Sequence, residues 1–265
     1  MARDDPSEVA LQIGAFKRSH QQWAIANYGR FIKTFEDGYE VLVNIIRSTN
    51  FVDKSAWSQH RGVQFFFAAD SLKRLFRAME DAVEGFYDET IVLTRSVYET
   101  FLRIVFISCF PADWAATIFK PEKGKQAFNA TNFPHHTLRV DWDFIYKTHS
   151  VVSHNIYDVM RRLAEPQGYV GLVLKGDEKA MGMAVNSLTF TLWALLHVSR
   201  ILFVELGTER VLVTEAYERI AITDEALGGL VATTPSLYGK TAEEVRKVGH
   251  IVRAAEQNQD WRTLV

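Results

Sequence analysis

The run Glu89-Thr-Ile-Val-Leu-Thr-Arg-Ser-Val-Tyr-Glu-Thr-Phe-Leu-Arg-Ile-Val-Phe-Ile-Ser-Cys-Phe110 decides the fold. Its apolar side chains, from Ile91 and Val92 through Phe101 and Leu102 to Phe106 and Ile107, fall on every side of a helix. A helix without a wet face has to be surrounded by other elements, so this one is expected at the centre of the molecule.

The neighbours on either side read as helices too. Upstream, Phe65, Ala69, Leu72, Phe76, Met79 and Val83 recur at the three- and four-residue steps of one helical face, with Asp70, Lys73, Arg74, Arg77, Glu80 and Asp81 filling the other. Earlier still, Phe31, Phe35, Gly38, Leu42 and Ile45 form a core stripe on a helix expected to end before Ser48-Thr49-Asn50. Asp5-Pro6-Ser7-Glu8 supplies its start signal: an N-cap aspartate, proline at the first helical position and glutamate three residues after the cap.

Downstream, Pro111 to about Asp143 carries Pro121, Pro134 and Gly124 and reads as short helices joined by loops. Helix resumes near Trp142, runs towards Arg162 and stops at Glu165-Pro166, because proline pushes the residue before it out of helical geometry. Tyr169 to Leu174 is extended or loop. From Asp177 a further helix places Leu188, Leu192, Leu195, Ser199, Leu202 and Leu206 on one stripe, and Thr241-Ala242-Glu243-Glu244 is a capping box for a last helix. The expectation is an all-α bundle of about seven to nine helices forming one domain over residues 1–265.

Composition narrows the setting. With 30 Lys+Arg against 32 Asp+Glu the net charge is −2, which gives no global attraction to phosphate backbones or anionic membranes, so a nucleic-acid site would have to be local. The single cysteine, Cys109, excludes an internal disulfide and a multi-thiolate zinc site, and suits a reducing cytoplasm. Ala180 to Ser199 lacks formal charge over about the 20 residues a membrane span needs. Its Asn186, Ser187, Thr189, Thr191, His197 and Ser199 favour a buried bundle helix, and no membrane partner is expected.

The chain contains no Gly-rich phosphate loop, no His-Glu-x-x-His pair, no Glu-x-x-His motif and no Gly-x-Ser-x-Gly elbow. No cofactor and no metal are expected; adjacent histidines such as His135-His136 point apart on a helix and make a poor metal pair. What remains are polar groups on tracts otherwise committed to the core. Arg95, Glu99 and Arg103 recur every four residues on the central helix and can form an ionic ladder, with Glu99 before Arg103 the favourable order. Such a ladder either orients the helix or lines a pocket. The second constellation is Tyr146, His149, Ser150 and His154, where two imidazoles near neutrality form an acid and base pair or satisfied packing groups.

Val92-Leu-Thr-Arg-Ser-Val-Tyr-Glu99, followed by Tyr146-x-x-x-Ser150-x-x-x-His154, resembles a bacterial family of helical proteins of unknown function, over roughly Phe65 to Leu206. Members share an Arg-x-x-x-Glu helix and a Tyr-x-x-x-Ser-x-x-x-His helix, which implies importance for Arg95, Glu99, Tyr146, Ser150 and His154. The second stretch is also distantly similar to the HEPN superfamily, whose signature is Arg, a polar residue, three further residues and His. Here His149, Ser150 and His154 take those positions, with histidine standing where the superfamily has arginine. The resemblance implies a HEPN-like effector or regulatory domain in bacterial stress or phage defence, a metal-independent ribonuclease acting on RNA at a homodimer interface. Arg95 supplies the missing cation if the two helices touch. The alternative from a different class is a non-enzymatic interaction or scaffold module, acting as a homodimer or with a partner protein, whose apolar surface is expected along the Asp177 to Leu206 stripe.

Overall fold

A computed structural model describes residues 8–119, 128 and 178–205, and these are helical throughout apart from short connections. Helix α1 spans Glu8–Asn50, α2 Gln59–Glu84, α3 Tyr87–Cys109 and α4 Glu178–Glu205; a 3-10 helix, Pro111–Thr117, follows α3. The start signal at Asp5 to Ser7, the expected helix from Asp143 to Arg162, Tyr169 to Leu174 and the capping box at Thr241 lie outside the described residues.

The expected stripe of α1 is core: Phe31, Phe35, Gly38, Leu42 and Ile45 are all buried. The helix runs past its expected stop because Ser48 and Thr49 turn their hydroxyls back onto the carbonyls of Asn44 and Ile45, each at 2.8 Å. Those side chains join the helix ladder instead of competing with it. Over its 43 residues α1 is broken once, at Tyr28, whose φ of −125° and ψ of 16° are non-helical.

Helix α2 turns into α3 through Gly85, which adopts φ +92°. Its N–H bonds the Ala82 carbonyl at 3.2 Å and the Phe86 N–H bonds that of Asp81 at 2.7 Å, the paired closure of a Schellman motif. The two helices are thereby antiparallel neighbours, tied at the far end by Gln64, whose amide donates to the Ile104 carbonyl (3.1 Å) and to Ser108 Oγ (2.8 Å).

The α2 stripe is turned relative to its expected face. Leu72 and Met79 are buried as expected, but Phe76 is 48% exposed, and Asp81, assigned to the wet side, is only 4% exposed. Helix α2 packs against α1, α3 and α4 at once, so its buried sector is wider than one stripe. The deepest positions are Ser71, Leu75, Ala78 and Ala82. At Ala78 the approach of α3 is close enough for Thr90 to donate its hydroxyl to the Ala78 carbonyl, at 3.1 Å.

As the absence of a wet face requires, α3 is buried along almost its whole length, with only Glu89 and Val92 exposed. Full burial of a side chain such as Leu102 or Phe106 contributes roughly 1.5–3 kcal/mol. Helix α4 closes the bundle by packing on α3 and α1. Thr94 meets Ser187 and, one turn on, Tyr98 meets Phe190, so α3 and α4 run in the same direction. The stripe of Leu188, Leu192, Leu195, Ser199 and Leu202 is buried inside this contact, which removes it as an exposed apolar surface. Among the described residues no helix is long and apolar enough to cross a membrane.

Candidate functional site

Helix α3 carries its charges on the sector not filled by core side chains. Arg95 Nε donates to Glu99 Oε1 at 3.1 Å, and the two side chains are 15% and 27% exposed, anchored in the surface yet reached by solvent. The expected ladder stops there. No ion pair joins Glu99 to Arg103 among the described residues. The guanidinium of Arg103 instead stands 5.6 Å from the centroid of the Phe128 ring. Its Nε is buried without a hydrogen-bond partner among the described residues. The pair that forms therefore has the less favourable helical order, arginine before glutamate. A cation over an aromatic face accounts for Arg103, and Glu99 is left to Arg95.

Beside this pair, Ser96 accepts a hydrogen bond from Arg74 of α2, and Arg74 is held from its other terminal nitrogen by Asp70 at 2.6 Å. Sequence reasoning placed Asp70 and Arg74 on a solvated face. The available signal was their Asp-before-Arg spacing of four, which pre-orients the guanidinium, together with a serine among the apolar residues of α3. Arg74 and Ser96 thus make a polar contact across the α2–α3 junction, one residue along α3 from Arg95.

Tyr146, His149, Ser150 and His154, and the His135-His136 pair, lie outside the described residues. Cys109 is half-buried at the end of α3 and packs on the core. No group of three histidine, cysteine or acidic side chains able to hold a metal occurs among the described residues.

A separate concavity of 610 Å³ opens between α1 and α2 on the outer face of the bundle. Its floor is apolar, with Phe35, Tyr39, Phe76 and Val83 prominent. Tyr39 stacks on Phe35 (6.3 Å between centroids, 9° between planes), meets Phe76 at 5.6 Å and donates to the Leu72 carbonyl at 3.3 Å. Burial raises the Tyr39 phenol above its ordinary pKa. Glu36, Glu40, Glu80 and Glu84 also line the groove, with Arg47 the single basic residue there.

Set against known proteins, the chain matches no family model, no curated protein and no solved structure.

Proposed function

We propose that this chain is a HEPN-like helical effector or regulatory domain of about seven to nine helices that cleaves RNA without a metal. One observation carries the reading: on the central helix, Arg95 is fixed by Glu99 at 3.1 Å while both side chains still reach solvent. A positioned cation of this kind suits a phosphate, since a planar guanidinium matches phosphate geometry. The sequence resemblance adds His149, Ser150 and His154 as the partner constellation. In that reading one imidazole takes the proton of a ribose 2′-hydroxyl as its oxygen attacks the adjacent phosphorus. The other imidazole protonates the departing 5′-oxygen, leaving a cyclic phosphate and a 5′-hydroxyl.

The test is cleavage of single-stranded RNA by the full chain in the presence of EDTA, with the product ends identified. The expected result is cyclic-phosphate termini, abolished by His154→Ala and reduced by about 10²-fold or more by Arg95→Ala, with thermal unfolding little changed. Intact RNA after incubation with the native protein would sink the reading, as would full activity in His154→Ala.

A second reading, a non-enzymatic interaction module, is favoured by the apolar groove between α1 and α2, because a surface concavity of this composition is the usual form of a docking site.

A further inference from the structure

We infer that the first half of α1, residues 8–27, is a hinged strap across the α2–α3 turn, which swings open as a unit about Tyr28 and is latched shut by His20.

The hinge is written in the residues around the break. Tyr28 is the one non-helical position inside α1. Just before it, the Asn27 side-chain amide donates to the Trp23 carbonyl at 2.8 Å, so that carbonyl keeps a partner without the backbone ladder continuing. Gly29 follows. A methyl there would meet nothing within 4 Å, so packing does not demand a glycine at this position. What glycine adds is backbone freedom, and hinges are built from the few residues that absorb a change in φ and ψ. The Tyr28 hydroxyl stands 3.5 Å from the Glu178 carbonyl, which sets the pivot against the start of α4.

The two halves of α1 are held by different forces. Between residues 10 and 27 only His20 and Ala24 are buried, and Leu11 and Ile13 towards the tip are exposed. Beyond the hinge Phe31, Phe35, Val41, Leu42 and Ile45 all enter the core. The strap is fastened mainly by polar contacts. His20 Nδ1 donates to the Val83 carbonyl at 2.8 Å, Nε2 shares a 2.5 Å hydrogen bond with the Tyr87 hydroxyl, and Lys17 pairs with Glu84 at 2.6 Å while lying over the Phe86 ring. Water replaces such contacts when they open, so their net hold is small beside the apolar burial that fixes the second half. A segment with few buried apolar contacts, bounded by a hinge, opens below the energy of global unfolding. Gln21 and Ile25, which line one end of the α1–α2 groove, ride on the strap, whereas Ile32, Tyr39 and Val43 lie beyond the hinge. Opening therefore removes that end of the groove and uncovers the turn at Gly85 in one movement.

The experiment is hydrogen exchange of the full chain, read by mass spectrometry at peptide resolution. A helix of about 20 residues is marginal on its own, so a released strap exchanges its amides. Residues 16–26 are expected to share one protection factor, at least about tenfold below that of residues 31–45, with a step at Tyr28. His20→Ala should lower protection of the strap about tenfold and Lys17→Ala by less, each leaving residues 31–45 unchanged. Lys17→Ala carries the test on its own where His20→Ala does not fold. Gly29→Ala should raise protection of the strap about two- to fivefold, because it restricts the open chain. Protection that climbs smoothly from residue 16 to residue 45 would mean simple fraying and overturn the inference. Equal protection in both halves, or latch variants that loosen both halves alike, would overturn it as well, and an unchanged strap in Gly29→Ala would remove the hinge from this place.

Discussion

The imidazole of His20 and the hydroxyl of Tyr87, 67 residues apart in the chain, share a 2.5 Å hydrogen bond in the interior. The other ring nitrogen, Nδ1, donates to the Val83 carbonyl at 2.8 Å, because a carbonyl can only accept. The ring packs directly over Gly85: a Cβ built there would stand 3.0 Å from His20 Cδ2. One histidine of α1 thereby grips both sides of the α2–α3 turn, assisted by the 2.6 Å ion pair of Lys17 with Glu84.

That grip makes Gly85→Ala costly in two ways. A φ of +92° is strained for alanine, and the new methyl meets the His20 ring. A loss of about 1–3 kcal/mol is expected in urea unfolding. In a His20→Ala background the steric part disappears and the backbone part stays, so the cost of Gly85→Ala should shrink. Equal costs in both backgrounds would mean that the ring contact is not restrictive.

Asp81 gives a pH prediction. Burial raises its pKa first; the ion pair with Arg77 at 2.6 Å opposes this, and Glu89, Glu84 and Glu80 reinforce it. An acid whose folded pKa is raised binds more protons in the folded state than in the unfolded one. Its contribution therefore falls as pH rises from the ordinary value of 3.8 through the folded value. Measured against Asp81→Asn across acidic pH, the native chain should lose relative stability as pH increases through that window and level off above it. A relative gain over the same range would contradict the assignment.

The α3–α4 contact predicts an asymmetry. Thr94 Oγ1 and Ser187 Oγ are 2.7 Å apart in a buried setting. Thr94→Val alone or Ser187→Ala alone leaves one hydroxyl facing an apolar group, which costs about 1–3 kcal/mol when no other acceptor or donor compensates. Thr94 also donates within α3, towards the Thr90 and Ile91 carbonyls, so Thr94→Val should be the larger single loss. The double variant should be less destabilised than the sum of the two. Strict additivity in chemical unfolding would show that the hydroxyls do not depend on each other.

How much of this was readable from the residues differs by helix. The core positions of α1 and the all-round burial of α3 followed from periodicity, because each reports one helix's own pattern. The face of α2 did not. Asp81 looks solvated beside Arg77 and Glu80, and its burial follows from α2 having three helical neighbours, which one helix's pattern does not encode. On α3 the Arg95–Glu99 pair was legible from its spacing. The diversion of Arg103 was not, since Phe128 lies far along the chain and its ring meets the guanidinium only in the folded molecule. The groove was equally illegible, because Tyr39 and Phe76 come from separate helices and Phe76 reads as ordinary core on its own.

The order in which the bundle's sides are supplied bears on how the chain emerges from the ribosome. Helices α1, α2 and α3 follow one another through short connections, whereas α4 begins only at Glu178, well after α3 ends at Cys109. Closing longer loops adds only about 0.6 kcal/mol per doubling of length, so the delay is chiefly one of synthesis time. Until α4 has been translated, the faces of Tyr98 and Thr94 that receive Phe190 and Ser187 lack those partners. A nascent chain halted in that interval presents a sticky apolar wall, and it is at that stage that a chaperone would have most to do.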